Sequence, residues 1–108
     1  MRDIKINILG TEYLIKFTNE TDYKQLKEAD GFIFGDKKLI LIDETISTVL
    51  INHAMRHEII HAFKKESGLW ASEEQSDEQN VDWFAWQSPK IFEVFMKLNI
   101  LKREENNE

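Results

Sequence analysis

The chain has 108 residues, of which 42% are hydrophobic and 11% aromatic, enough apolar surface for one small folded domain and too much for a disordered chain. A formal net charge of −6 argues against a general nucleic-acid binder, which would be basic, and fits a soluble protein or one that meets a basic partner. There is no cysteine, charged residues interrupt "MRDIKINILG", and no apolar run approaches the ~20 residues of a membrane helix, so the expectation is a cytoplasmic protein without disulfides, thiolate ligands, signal peptide or membrane span.

The N-terminal half reads as strands. "IKINI" alternates apolar and polar residues, Gly10 and Thr11 make a turn, and "YLIKF" follows as a hairpin partner. The polar stretch "NETDYKQLKEAD" holds a short helix around Lys24–Ala29. "FIF", the turn residues Gly35-Asp36 and "KLILI" read as a second hairpin, so that four short strands form one small, mainly antiparallel sheet. From Ile46 to Phe63 apolar residues recur at helical spacing, with Asp43 or Thr45 as cap and Gly68 as the stop behind two lysines. The acidic "ASEEQSDEQ" leads into a second helix through "NVDWFAWQ", with Val81, Phe84 and Ala85 as its apolar stripe; Trp70, Trp83 and Trp86 are read mainly as core, with a surface contact as the alternative for Trp83 on the opposite side. A third helix begins at Ser88-Pro89, where proline suits a first turn, and carries Ile91, Phe92, Phe95, Leu98 and Leu101 on one face. Residues 1–101 are read as a single domain and 102–108 as a flexible polar tail. The fold class is α+β: a small sheet, an active-site helix, a ligand helix and a C-terminal helix.

The chemistry concentrates in "RHEIIHAF". His57 and His61 are four apart, so on a helix they stand one above the other, ~6 Å apart, and both can reach one zinc ion at ~2.0–2.1 Å from nitrogen. Glu58 lies ~100° further round, badly placed as a ligand but able to lean over a water on the metal. That is the logic of HExxH: zinc lowers the water's pKa and polarises a carbonyl, while the glutamate takes the proton and passes it to the leaving amine. The same spacing also arises by chance on amphipathic helices. A catalytic zinc needs a third protein ligand. No histidine follows His61, and "AFKKES" lacks the xxGxxH extension, so the ligand must be a carboxylate among Glu73, Glu74, Asp77, Glu78 and Asp82. Helical phase keeps Glu74, Asp77 and Glu78 within ~60° of the Val81/Phe84/Ala85 face and does not choose among them.

Residues 43–92 resemble the ImmA/IrrE-type metallopeptidases of bacteria, phages and mobile elements, in which HExxH is followed by a helix close to E-x-x-x-N-x-F-A and then a proline. The matching letters here are Glu78, Asp82, Phe84, Ala85 and Pro89; Asp82 stands where the family usually has asparagine. The resemblance implies a zincin-like fold with one sheet edge along the cleft, one zinc ion held by His57, His61 and Glu78, Glu58 as the general base, and peptide-bond hydrolysis. It also implies a protein or peptide substrate, of which a helix-turn-helix repressor is one kind, and the cytoplasm of a bacterial or phage-infected cell. Asp82 and His53 are left as residues that support a ligand from behind or touch substrate; His53 lies a further ~6 Å along the helix axis, too far for direct ligation. Tyr13 and Tyr23 are the only tyrosines that could stabilise an oxyanion. The rival reading is a zincin-fold module that grips a partner protein without turnover; a purely structural zinc site is disfavoured because three ligands leave an open position.

Overall fold

The structure, a computed structural model, describes residues 2–69 and 77–101. Period-two alternation produces strands β1 (Ile4–Ile8) and β2 (Thr11–Thr18), paired antiparallel with Ile6 opposite Tyr13 and Ile4 opposite Ile15. Their turn is Leu9-Gly10, one residue earlier than expected, and both residues are at positive φ (53° and 94°), the pattern of the tight two-residue hairpin turn. The Gly10 N–H donates to Asn7 Oδ1 at 2.8 Å, which fixes that turn. The polar stretch beyond β2 forms only a 3₁₀ turn, Lys24–Leu26, in place of the expected short helix, with Leu26 as its one buried residue.

Strands β3 (Gly31–Phe34) and β4 (Leu39–Asp43) form the second antiparallel hairpin. β4 then lies parallel to β2, with Ile15 opposite Ile40 and Phe17 opposite Ile42, which gives a mixed sheet in the order β1-β2-β4-β3. The unbroken apolar run of β4 fits this central place, because a strand covered on both faces has no polar side to show. Ile40 and Ile42 enter the main core; Leu41, on the other face, is also buried, on the strand against which the 3₁₀ turn packs.

Helix α1 (Thr48–Glu66) covers the inner face through Ile51, Ala54, Met55, Ile59, Ala62 and Phe63. Its cap is Ser47, whose Oγ accepts the Leu50 N–H at 3.3 Å; the expected caps Asp43 and Thr45 instead bond to each other (Thr45 N–H and Oγ1 to Asp43 Oδ1, 2.9 and 2.6 Å). Gly68 stops the helix as expected. At φ 89° it allows Gly68 N–H to reach Lys65 O and Leu69 N–H to reach Lys64 O, the paired bonds of a Schellman end. The last turn is tied to the sheet by Glu66, whose carboxylate accepts from Thr11 Oγ1 (2.9 Å), Tyr13 Oη (2.6 Å) and Lys38 Nζ (2.8 Å).

The second and third expected helices are one, α2 (Asp77–Leu98), which runs straight through Pro89. Proline deletes the hydrogen bond to the Ala85 carbonyl, but residues 85 and 89 are both exposed, so water can take that carbonyl. The inward face of α2 also differs from expectation. Val81, Phe84 and Ala85 are exposed, and the inward side is formed by Trp83, Ile91, Phe95 and Leu98, spaced eight, four and three apart. Trp83 takes the core role expected of it rather than the alternative surface one: it packs on the core and its Nε1 donates to Ser67 Oγ at 2.7 Å, whereas Trp86, also expected in the core, is exposed, and Trp70 lies outside the described residues. An indole that can reach a hydroxyl is a better inward residue than a valine with nothing to cover it. Of the stripe expected around Pro89, Ile91 and Phe95 are buried, while Phe92 and Leu101 are exposed. Arg56 from α1 closes the far end by donating to the Ile100 carbonyl at 2.6 Å.

Candidate metal centre

Nothing interrupts α1 between Thr48 and Glu66, so His53, His57 and His61 fall along one side of it at successive turns. The Nε2 atoms of His57 and His61 converge to 3.2 Å, with ring centroids 4.8 Å apart and planes inclined at 72°. Two imidazole nitrogens bound to one zinc at ~2.0–2.1 Å in tetrahedral geometry stand ~3.3–3.4 Å apart. The pair is thus already spaced for a shared ion. A single shared proton also accounts for the contact, one ring donating and the other accepting. Burial, then the neighbouring His57 and Lys64, push the His61 pKa down, which favours the neutral ring that a metal requires.

Glu58 turns the other way, toward the sheet. It is only 6% exposed, and burial alone raises its carboxyl from the ordinary range to about 7. Its side chain lies against Gly31 at the start of β3, an edge strand. A cavity of about 220 Å³ opens between strand and helix, lined by Gly31, Asp30, His53, His57 and Glu58 among others. A larger polar hollow of about 540 Å³ around Asn19, Glu20 and Asp43 contains none of the HExxH residues. Of these two hollows, the one beside Glu58 carries the HExxH residues His57 and Glu58.

The expected site residues therefore divide. His57, Glu58 and His61 come together, and His53 shares a cavity with the first two. Glu78 and Asp82 are exposed on the first turns of α2 and line neither hollow. Among the described residues no cluster of three histidine, aspartate or glutamate side chains is gathered at metal-binding distance. Glu73 and Glu74 lie outside the described residues. With the inward face of α2 reset to Trp83 and Ile91, helical phase no longer favours Glu78, and only the resemblance selects it. Tyr13 is fully buried and committed to Glu66, which removes it as an oxyanion donor.

Sequence reasoning passed over Ala29, Asp30 and Gly31, which form the strand side of the cavity. The available signal was the glycine that opens a strand, a position that marks close approach by another group. Among the described residues no helix is long and apolar enough to cross a membrane. No protein-family profile, curated protein or solved structure matches the chain.

Proposed function

We propose that this chain is a zincin-like zinc metallopeptidase of the ImmA/IrrE type, acting on a peptide bond in a protein substrate. The observation that supports it best is the 3.2 Å convergence of the His57 and His61 Nε2 atoms, with a buried glutamate at the intervening HExxH position. His57 and His61 would hold the ion, with a carboxylate from the entry to α2, Glu78 by resemblance, as third ligand. Bound zinc would supply Lewis-acid polarisation of the scissile carbonyl and acidify water toward neutral pH. The chain's own residues do the rest. Glu58, with a carboxyl near pH 7, takes a proton from the attacking water as oxygen adds to the carbonyl carbon. It returns that proton to the amide nitrogen as the carbon–nitrogen bond breaks, which leaves a carboxylic acid and an amine, and these then settle as carboxylate and ammonium. His53 lines the same cavity and would touch substrate in this reading. A helix-turn-helix repressor in the cytoplasm of a bacterial or phage-infected cell is the substrate this reading favours.

One observation favours the rival reading of a binding module. Val81, Phe84, Trp86, Phe92 and Met96 leave α2 with a large apolar outer surface, Trp86 being 74% exposed. Three substitutions test the site and separate the readings. His57→Ala and His61→Ala should each abolish binding of about one zinc per chain, measured by metal analysis after purification. Glu58→Gln should keep the zinc and lose hydrolysis by ~10²-fold or more. Full zinc in either histidine variant refutes the site, and an unchanged biological effect in Glu58→Gln hands the case to the binding module.

A further inference from the structure

Gly31 opens β3, and its φ lies outside the left-handed region, so its backbone conformation would accept any L residue. What glycine supplies here is space. A Cβ built at this position would stand 3.0 Å from Glu58 Cγ, 3.1 Å from Glu58 Oε2 and 3.2 Å from the Leu41 carbonyl oxygen. Approaches this close force something to move. Gly31 is paired with Ile42, and Leu41 belongs to the neighbouring strand, so neither backbone can withdraw without disturbing the ladder. The Glu58 side chain is the part that would yield. Gly31 lies on the wall of the cavity that Glu58 and His57 also line.

We infer that Gly31 is a positioning residue for Glu58: its missing side chain leaves the space in which that carboxylate stands at the cavity beside His57, and a Cβ there would push the Glu58 side chain aside by a few tenths of an ångström. The inference rests on reading Glu58 as the general base, and it can be tested separately from that reading.

The test is a double-mutant cycle of Gly31→Ala and Glu58→Ala read by thermal unfolding, with zinc affinity measured by chelator competition. Gly31→Ala should lower the melting midpoint by about 4–8 °C in the parent, and by less than half as much when residue 58 is already alanine. Zinc affinity should stay within about twofold, because the histidines are untouched, which separates displacement of Glu58 from general damage to α1. An equal drop in both backgrounds would show that the Leu41 carbonyl alone sets the space and would overturn the inference. Should Gly31→Ala fail to fold, recovery of folding in the double variant supports the inference and its absence overturns it. Hydrolysis of a fluorogenic peptide mixture by Glu58→Gln tests the base reading independently. Full turnover there would end that reading while leaving the coupling between residues 31 and 58 to be decided by the melting cycle.

Discussion

Replacing Glu66 with glutamine should destabilise the fold at neutral pH and lose that effect in acid. Its carboxylate accepts from Thr11, Tyr13 and Lys38, and the Lys38 bond first, then that of Tyr13, holds its pKa down from 4.5 to about 2. At ~1.4 kcal/mol for each pH unit, that fall sets a ceiling of ~3.4 kcal/mol. The Glu66 side chain is 14% exposed and that of Lys38 35%, so water screens part of the interaction. Discounted for this, and for the weak acceptor that glutamine still provides, the expected loss is ~2 kcal/mol. In a domain of this size that corresponds to a melting midpoint lower by ~8–15 °C. The sign of the pH dependence follows from the depressed folded-state pKa. The stabilisation is complete above the unfolded value near 4.5, and it disappears as pH falls from there toward about 2. Circular-dichroism melts of parent and Glu66→Gln protein at pH 7 and near pH 3 should therefore show a large gap at the first and less than half of it at the second. No gap at pH 7, or an equal one near pH 3, would refute the idea that an ionised carboxylate ties α1 to the sheet.

Chelator competition on Glu78→Ala, Asp77→Ala and Glu74→Ala should show zinc affinity falling by at least ~10–100-fold for Glu78 alone, the other two changing little because neither is the ligand that the resemblance selects. Loss at Asp77 with retention at Glu78 would shift the ligand register by one residue. Leu9→Asn should raise stability by ~0.5–1 kcal/mol in urea unfolding, since leucine at φ 53° occupies a region that asparagine tolerates, and its side chain is partly exposed. Pro89→Ala should add ~1–2 kcal/mol in the same assay, by returning one helix hydrogen bond at an exposed position; the greater freedom of the unfolded alanine chain offsets part of the gain. A destabilised Pro89→Ala would mean that the ring supports α2 by a contact.

Local patterns were legible where one residue's neighbours decide its fate. The alternation in "IKINI" and "YLIKF", the apolar run of "KLILI", the Gly68 stop and the i, i+4 histidines each carry their own geometry, and each is realised. The pairing of β4 beside β2 was not legible, because which strands become neighbours depends on contacts between residues some 25 apart in the chain, Ile15 with Ile40 and Phe17 with Ile42. The strand side of the cavity was legible only in part: the glycine of "ADGFIF" marks a close approach, but nothing there says that the approaching group is a helix carboxylate.

The failure at α2 has a more specific cause, and it bears on function. Two apolar faces compete along this helix. One, through Trp83, Ile91 and Phe95, meets the core; the other, through Val81, Phe84 and Phe92, keeps its own aromatic contacts, with Phe84 and Phe92 edge-on at 6.2 Å. A sequence with two stripes gives phase no basis for preferring either. The indole of Trp83 decides between them, because Ser67 offers its N–H a partner at the end of α1 and Lys64 stacks over the ring, which Val81 and Phe84 could not use. That choice turns Glu78 and Asp82 toward solvent. The proposed Glu78 ligand and the observed Trp83 anchor therefore make opposing demands on the rotation of α2, and the chelator series above measures which demand prevails when zinc is bound. If Glu78→Ala loses zinc, α2 must turn or shift at its start on metal binding, and the Trp83–Ser67 bond should break; Trp83 fluorescence would then change on adding zinc to the parent and stay unchanged in His57→Ala.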